Sequence, residues 1–217
     1  MNPTPHVIFL DAVGTLFGVA GSVGEIYADL ARQHGVEADP AALNQAFFRA
    51  FKAAPAMAFP DSDPATVPQQ EYQWWRVVAQ QTFSSAGWLD QFADFDRFFA
   101  DLYDHFATAN PWVVYPDVLA ALQRWQRRGI ELGIISNFDS RLYPVLEALN
   151  LMDFFQSITI SSEAGAAKPD PLIFVTALQK HRCEAAQAWH VGDSPEEDQQ
   201  GAQEAGLRGI LLQRSTQ

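Results

Sequence analysis

The sequence predicts an α/β fold in which helices flank a parallel sheet and an all-helical segment is inserted after the first strand. The apolar run "HVIFL" at residues 6–10 is rich in β-forming residues, which is typical of a strand buried on both faces. Residues 18–110 show helical periodicity without a strand pattern, whereas residues 111–217 alternate between helix and strand. We therefore predict a core of residues 1–17 and 111–217, and a helical cap of residues 18–110.

The cap segment contains the signals of four helices. Ser22 is a typical N-cap for the first helix, which Gly35 ends. Asp39, followed by Pro40, begins the second helix, and the third follows a Pro-rich loop at residues 55–68. The fourth helix carries an apolar stripe at heptad-like spacing, which predicts packing on neighbouring helices. The stripe consists of Phe92, Phe95, Phe99, Leu102 and Phe106.

The second half of the chain repeats a helix and strand rhythm that is typical of a parallel sheet. The predicted helices span residues 117–129, 141–150, 170–182 and 195–206. The predicted strands span residues 130–136, 157–161, 188–193 and 209–213. Together with the first strand, they would form one sheet covered by helices.

The composition favours a globular protein without a nucleic-acid partner. The 217 residues are 48% apolar, and their formal charge of -12 would repel phosphate backbones and anionic lipid surfaces. The single cysteine, Cys183, rules out an intrachain disulfide. No apolar stretch approaches a membrane span, and the first basic residue, Arg32, lies beyond the first apolar run. We expect a soluble, cytoplasmic monomer or homodimer without nucleic-acid or membrane partners.

Polar residues lie at four loop positions around the predicted sheet. In open α/β sheets, ligands bind beyond the carboxyl ends of the strands, so residues in these loops are candidates for one site. Each residue alone has an ordinary structural explanation as a turn or cap residue, but their joint occurrence is harder to explain in that way. The candidates are Asp11, Gly14, Thr15, Ser136, Asn137, Lys168, Asp193 and Asp198.

Four segments around these residues resemble the motifs of the haloacid dehalogenase-like (HAD) hydrolase superfamily. The segments are "DAVGT", "ISNFD", "KPDPLIF" and "GDSPEEDQQGA". The resemblance covers nearly the whole chain and implies a Rossmann-like HAD core with an inserted helical cap. It also implies Mg²⁺ as a cofactor and a small-molecule substrate, in most members a phosphate ester.

The resemblance assigns a role to each candidate. Asp11 would be the nucleophile that forms an aspartyl-phosphate, and Lys168 would place a positive charge on the transferring group. Mg²⁺ would be held by Asp11, Asp193 and the backbone carbonyl of Val13, with Asp198 binding metal water or orienting Lys168. The residues that would contact the substrate are Gly14 and Thr15 through their backbone region, Ser136 and Asn137.

Val13 departs from the phosphatase pattern. HAD phosphatases usually carry a second Asp at this position, which protonates the leaving group and activates water. A positioned acid or base is worth roughly 10²–10⁴-fold in rate, so its absence predicts limited phosphatase activity. A replacement donor could come from the cap or from the substrate. The nominal cap candidates are Glu25, His34, Lys52 and His105.

Two further functions remain open at this point. A metal-independent 2-haloacid dehalogenase needs no acid, and Arg49 resembles the cap arginine of those enzymes. Phe174 stands where they carry a tyrosine, however, and the retained acids Asp193 and Asp198 would repel a carboxylate substrate unless a cation is bound. A catalytically weak ligand-binding or scaffold protein is the other alternative. We favour a Mg²⁺-dependent phosphohydrolase that acts on a small phosphorylated metabolite.

Overall fold

The computed structural model describes residues 4–214 and has a five-stranded parallel sheet at its centre. The strands are β1 (Val7–Leu10), β2 (Phe17–Val19), β3 (Trp112–Val114), β4 (Glu131–Ser136), β5 (Ser157–Ile160), β6 (Ala188–Gly192) and β7 (Arg208–Leu211). The sheet order is β5-β4-β1-β6-β7, while β2 and β3 form a separate pair. The predicted α/β fold with a parallel sheet flanked by helices is confirmed.

Nine α-helices lie within the described part of the chain. They are α1 (Val23–Gln33), α2 (Pro40–Ala53), α3 (Val67–Ala86), α4 (Phe95–His105), α5 (Val118–Gln126), α6 (Leu142–Ala148), α7 (Ser161–Ala164), α8 (Pro171–His181) and α9 (Gly201–Glu204). A π-helix at Pro195–Gln200 leads into α9, and 3₁₀ turns lie at Leu89–Gln91, Met152–Phe154 and Ala185–Gln187. Among the helices of residues 4–214, none has the length and hydropathy that a membrane crossing requires.

β1 lies in the middle of the sheet and positions the first candidate residue. It is paired in parallel with β4 on one side and with β6 on the other. Ile8 and Leu10 join a hydrophobic cluster with α5 and α6, whereas Val7 and Phe9 pack with α8. Because both faces are covered, the strand is apolar throughout, and the first polar side chain after it, Asp11, lies at the carboxyl edge of the sheet.

Residues 18–110, which we call the cap, are connected to the rest of the chain, which we call the core, at an antiparallel two-stranded ribbon. β2 pairs with β3, so the chain enters and leaves the cap side by side. Each strand has three residues. Sequence analysis missed both strands, because such short strands show no measurable periodicity. The predicted boundaries after residue 17 and before residue 111 fall at this ribbon. We retain the division into core and cap as a proposal.

The four cap helices pack around a hydrophobic cluster of their own. The side chain of Ser22 accepts a hydrogen bond from the backbone of Glu25, and that of Asp39 from the backbone of Ala42, so both predicted N-caps are present. These caps satisfy backbone N–H groups that a helix leaves without intrahelical partners. They therefore define where α1 and α2 begin.

The apolar stripe predicted for the fourth helix is only partly correct. Asp94 accepts a hydrogen bond from the backbone of Arg97, so α4 begins after Asp94 and Phe92 lies before it. Phe99 is buried as predicted, but Phe98, which the stripe omitted, is fully buried as well. Heptad spacing predicts a narrow apolar stripe, whereas the buried face of α4 is wider and includes Phe98.

The loop after β4 ties the core to the cap through a buried ion pair. The fully buried carboxylate of Asp139 accepts hydrogen bonds from Nε and Nη2 of Arg141, at 2.8 and 2.7 Å, and from Nε1 of Trp75 in α3, at 2.6 Å. The Arg141 guanidinium lies 3.9 Å from the ring centroid of Tyr103 in α4 and donates to the backbone carbonyl of that residue. One ion pair of the core therefore contacts two cap helices.

A second buried carboxylate contacts the same loop from the cap side. Both oxygens of Glu71 in α3 accept hydrogen bonds from Ser140, one from its backbone N–H at 3.0 Å and one from its hydroxyl at 2.5 Å. Burial raises the pKa of Glu71 above its ordinary value, although the hydrogen bonds from Ser140 oppose this shift. The junction between core and cap thus contains a carboxylate whose ionisation is unfavourable in the folded protein.

Replacing Asp139 with Asn should lower the free energy of unfolding by about 3–5 kcal/mol, because Arg141 would keep a buried charge without its counterion. Urea denaturation measures this loss. The matched control is Asp29→Asn, which removes the exposed partner of Arg32 and should cost less than about 1 kcal/mol. If Asp139→Asn lowered the free energy of unfolding no more than the control does, Asp139 and Arg141 would not form a buried ion pair that stabilises the protein.

The variant Glu71→Gln should become more stable relative to the wild-type protein as the pH rises from about 4 to 8. The pKa of Glu71 is raised by folding, so its favourable contribution is complete below the unfolded value of about 4.3 and is lost as the carboxyl ionises at higher pH. Gln carries no charge and avoids that loss. Denaturation of both proteins across this range tests the sign, and a constant difference between them would refute it.

Candidate active site

Asp11 lies at the carboxyl end of β1 and faces a cavity between core and cap. Its backbone N–H donates to the carbonyl of Val191 in β6, at 2.9 Å, which extends the strand pairing by one residue. Its Oδ1 accepts hydrogen bonds from Oγ of Ser136, at 3.0 Å, and from Nζ of Lys168, at 2.7 Å. Residues separated by more than a hundred positions thus meet on one carboxylate oxygen.

Lys168 is buried between two carboxylates. Its Nζ lies 2.7 Å from Oδ1 of Asp11 and 2.5 Å from Oδ1 of Asp198. The backbone N–H of Lys168 donates to Oδ1 of Asn137 at 2.7 Å, and Nδ2 of Asn137 donates to the carbonyl of Lys168 at 3.0 Å. This double contact positions the backbone from which the ammonium group reaches the carboxylates.

The contacts of Asn137 differ from the sequence prediction. Besides Lys168, its Nδ2 donates to Oε2 of Glu197 at 3.1 Å, so both ends of the amide are used within the protein. Sequence analysis assigned Asn137 to the substrate, whereas the geometry gives it a positioning contact with Lys168. The predicted substrate contact remains a prediction.

Asp198 connects Lys168 to a buried histidine. Nε2 of His190 lies 2.8 Å from Oδ1 of Asp198, and the backbone N–H of Ser194 donates to Oδ2 at 2.9 Å. Burial lowers the pKa of His190, which favours the neutral imidazole, and a carboxylate at Nε2 favours the tautomer that carries its proton on that nitrogen. These contacts orient the carboxylate toward Lys168.

The charges of this cluster are strongly coupled. Burial raises the pKa of Asp11 even though Lys168 is beside it. Burial also opposes ionisation of Asp198, but the hydrogen bond from His190 and the charge of Lys168 outweigh it and hold its pKa below the usual range. Burial disfavours the charged form of Lys168, but the two carboxylates outweigh this effect and raise its pKa. A cation beside Asp11 would favour the ionised carboxylate that a nucleophile requires.

Three carboxylates of the site fit a divalent metal ion. One oxygen each of Asp11, Asp193 and Asp198 lies within 4.8 Å of the others. Hard oxygen donors in this number suit Mg²⁺. Gly14 has a φ of +89°, and a Cβ there would collide with the carboxylate of Asp193, so a glycine is needed for this acid to approach the loop. The predicted contribution of the Val13 carbonyl stays a prediction.

Gly14 and Thr15 do not lie on the cavity wall. The backbone N–H of Gly14 donates to the carbonyl of Phe17, and that of Thr15 to the carbonyl of Ala12. Both amides therefore close the turn after Asp11, and the predicted substrate contact of these two residues stays a prediction. The turn is also held by Arg214, which donates to the carbonyl of Thr15 at 2.5 Å. Tight turn geometry explains these two residues.

The site opens into a cavity of about 700 Å³. Asp11, Val13, Lys168 and Asp193 lie on its core side, and aromatic rings of the cap form the opposite side. This volume is within the range of small-molecule sites. A ligand held there would contact both parts of the protein.

The structure does not bring Arg49 to this cavity. α2 presents Phe47, Phe48 and Phe51 to the cavity, so Arg49, which lies on another side of the helix, is exposed and lines a separate surface groove between α2 and α3. This placement does not support the predicted contact of Arg49 with the substrate, which stays a prediction. One chain alone does not show which helix face points inward.

Among the four nominal cap donors, Lys52 lines the cavity and the other three do not. His34 pairs with Asp101 at 2.9 Å, and Glu25 forms the N-terminal cap of α1 with Ser22. His105 is outside the cavity lining as well.

Two charged residues of the cavity wall were missed by sequence analysis. They are Arg141, which pairs with Asp139, and Glu197, which accepts from Asn137. The segment "DSR" places an acid two residues before Arg141, which weakly indicates an ion pair. Glu197 lies in the acidic run before Asp198, where nothing distinguishes it from a solvated helix start.

Comparison with known proteins agrees with this geometry. A family model described as haloacid dehalogenase-like hydrolase matches residues 5–206. The bovine (Bos taurus) protein "Haloacid dehalogenase-like hydrolase domain-containing protein 3" is 37% identical over 202 residues, covering 93% of this chain and 79% of its own. The phosphoserine phosphatase of Thermus thermophilus is 27% identical over 224 residues, covering 96% of this chain and 88% of its own.

Solved structures share the fold at lower identity. A HAD phosphatase from Thermococcus onnurineus has a TM-score of 0.64 at 22% identity, covering 97% of this chain and 87% of its own. A dehalogenase with an intermediate complex has a TM-score of 0.71 at 17% identity, covering 99% and 87%. The match to the family model and to the bovine relative extends over most of the chain, which therefore belongs to the haloacid dehalogenase-like hydrolase family.

Proposed function

We propose that this protein is a Mg²⁺-dependent phosphohydrolase that acts on a small phosphorylated metabolite through an aspartyl-phosphate on Asp11. The observation that supports this most is the buried Lys168 ammonium, which bridges Asp11 and Asp198 beside the third carboxylate, Asp193. An acidic cluster with a central lysine suits a phosphoryl group together with a cation. The phosphoserine phosphatase among the relatives supports phosphate ester chemistry in the same way.

The proposed first step is attack of Asp11 on phosphorus. Oδ1 accepts the hydrogen bonds from Ser136 and Lys168, so we expect the other oxygen, Oδ2, to form the new bond. The bond between phosphorus and the leaving oxygen breaks, and its electron pair stays on that oxygen. Lys168 stabilises the negative charge on the phosphoryl oxygens. Mg²⁺, when bound, would offset the remaining negative charge of the phosphoryl group and of the nearby carboxylates. Water then hydrolyses the aspartyl-phosphate and regenerates Asp11.

Val13 lines the cavity where most HAD phosphatases would place their acid, and its side chain has no proton to donate. Of the cap residues considered as substitutes, Lys52 alone reaches the cavity lining, and it is exposed. We therefore infer that protonation of the leaving group is weak and that activity is slow or narrow in substrate range.

The two alternative functions lose support from the charges around the cavity. A 2-haloacid has a carboxylate that needs a desolvated cation, but Arg49 lies outside the cavity, Arg141 is paired with Asp139, and Lys52 lines the cavity at an exposed position. A ligand-binding or scaffold protein would need neither the buried Lys168 nor the neighbouring carboxylates. Both alternatives are distinguished by the following experiments.

Asp11→Asn should abolish Mg²⁺-dependent release of phosphate from acetyl phosphate, because the amide cannot form the aspartyl-phosphate. Acetyl phosphate is small and has a good leaving group, so it tests the chemistry without testing the fit of the cavity. A malachite green assay measures phosphate, and the exposed Asp90→Asn serves as a matched control that should keep wild-type activity.

Other outcomes of the same assay separate the alternatives. Halide release from 2-chloropropionate without metal would identify a dehalogenase and refute the phosphohydrolase. No turnover of either compound, combined with a Mg²⁺-dependent thermal shift that Asp193→Asn abolishes, would identify a binding protein.

Val13→Asp should raise kcat for alkyl phosphates by up to roughly 10²-fold, since it restores an acid next to the leaving group. The gain should be smaller for acetyl phosphate, whose leaving group needs little protonation. Val13→Asn, which has a similar shape but no proton to donate, is the matched control, and circular dichroism verifies folding. An equal effect of both substitutions would show that the missing acid does not limit the rate.

A further inference from the structure

We propose that the group leaving from phosphorus is a flat aromatic ring bonded through its own oxygen, so that the substrate class is an aryl phosphate. This inference rests on the proposed phosphohydrolase function and names the substrate for it. Two independent features support it: the chemistry of the cap side of the cavity, and the lack of a suitable proton donor on the cavity wall.

The cap side of the cavity is built from aromatic rings. Phe47, Phe51, Trp74 and Trp75, which we call the aromatic cluster, all line it. Phe51 stacks on Phe47 at 5.7 Å and on Trp75 at 5.8 Å between centroids, and meets Trp74 edge to face at 5.8 Å. Offset and edge contacts of this kind favour another aromatic ring over a polar group.

Few hydrogen-bonding groups remain on this side for a sugar or an amino acid. The polar groups among the described lining residues of the cap are the exposed Lys52 and the phenol hydroxyls of Tyr27 and Tyr103, and the other side chains are apolar or aromatic. The indole N–H groups of Trp74 and Trp75 are already used, by the carbonyl of Pro55 at 2.9 Å and by Asp139 at 2.6 Å. A polyol would lose more hydrogen bonds to water than these few groups could replace, which is costly for each buried hydroxyl left without a partner.

A carboxylate on the leaving group would meet the exposed, solvated ammonium of Lys52 on the cap side and no buried cation that is free to pair with it. Arg141 lies in the cavity wall with its guanidinium 5.1 Å from the ring centroid of Trp75, but both of its carboxylate contacts go to Asp139. The core side adds only more negative charge, from Asp11, Asp193 and Glu197. The cavity therefore accepts one anionic group, at Lys168, and an uncharged ring beyond it.

The lack of a good proton donor for the leaving oxygen also favours an aryl oxygen. Tyr27 and Tyr103 line the cavity, but burial raises the pKa of both phenols, which makes them poor proton donors. One oxygen of Glu197, Oε2, accepts a hydrogen bond from Nδ2 of Asn137, so this carboxylate is held against the core loop that carries Asn137. A phenol has a pKa of about 10, far below that of an alcohol, so an aryl oxygen can leave as its anion. In this step Asp11 forms the bond to phosphorus, the aryl oxygen keeps the electron pair, and water protonates it after release.

Three esters separate ring shape from leaving-group acidity. Benzyl and cyclohexylmethyl phosphate both release alkoxides but differ in ring flatness, so their KM values compare fit alone. Phenyl and benzyl phosphate both carry a flat ring but differ in the acidity of the leaving oxygen, so their kcat values compare chemistry. We expect KM for benzyl phosphate to be at least roughly 3-fold below that for cyclohexylmethyl phosphate. We also expect kcat for phenyl phosphate to exceed that for benzyl phosphate by roughly 10²-fold or more. Equal values within either pair would overturn the inference.

The aromatic cluster is tested by Phe51→Leu, a partly exposed position where the substitution keeps the helix and most of the apolar contact. The ratio of kcat/KM for phenyl phosphate to that for acetyl phosphate should fall roughly 3- to 10-fold, as expected for one aromatic contact. Phe95→Leu changes a cap phenylalanine outside the cavity and is the matched control, for which the ratio should stay unchanged. The same ratio in Phe51→Leu and wild type would contradict a role of the cluster.

A binding experiment keeps this inference distinct from the proposed function. Benzylphosphonate and cyclohexylmethylphosphonate cannot be hydrolysed, and calorimetry with Mg²⁺ compares their affinities for the wild-type protein. Preferential binding of the aromatic compound without turnover of acetyl phosphate would refute the hydrolase and support the aromatic site. Turnover of acetyl phosphate with equal binding of the two phosphonates would refute the aryl phosphate as substrate class and leave the proposed phosphohydrolase function standing.

Discussion

The ammonium group of Lys168, enclosed by the carboxylates of Asp11 and Asp198, is the interaction on which the rest of the site depends. A buried charge is strongly unfavourable unless it is paired and hydrogen-bonded. Here Nζ of Lys168 donates to Oδ1 of Asp11 at 2.7 Å and to Oδ1 of Asp198 at 2.5 Å, so the ammonium group and both carboxylates are paired. Asp11 follows β1 and Asp198 lies in the π-helix after β6, so the parallel pairing of these two strands is what brings the acids together. Lys168 then fixes the position of the loop before α8 against both.

The loop after β4 links this cluster to the cap. Ser136 donates to Asp11, Asn137 holds the backbone of Lys168, and Asp139 and Ser140 contact Trp75 and Glu71 of α3. Consecutive residues of one loop thus contact the reactive carboxylate and the cap helices. A displacement of the cap would break buried hydrogen bonds of Asp139 and Glu71, which stabilises the closed arrangement seen here. The shape of the cavity is therefore coupled to the same segment that builds the site.

The cavity combines two environments that a single substrate has to match. The core side is charged and suits a phosphoryl group with a cation, whereas the cap side is aromatic and excludes groups that need hydrogen bonds. Val13 contributes an apolar side chain on the core side, at the position where an acid would otherwise serve the leaving group. Under the proposed function, a valine at this position would weaken catalysis toward alkyl esters and would suit a leaving group that needs no proton.

Sequence alone determined the elements and the candidates whose signals are local. The apolar run of β1, the caps Ser22 and Asp39, and the polar residues around the sheet follow from patterns within a few positions. The parallel sheet then explains why Asp11, Ser136, Lys168 and Asp198 meet. Tertiary structure alone decided which way side chains point. Arg49 faces outward because α2 turns its phenylalanines to the cavity, the amides of Gly14 and Thr15 close a turn, and Arg141 gains its buried place only when core and cap pack together. Rotation of a helix and contacts between distant segments depend on how the whole chain packs, which no local pattern encodes.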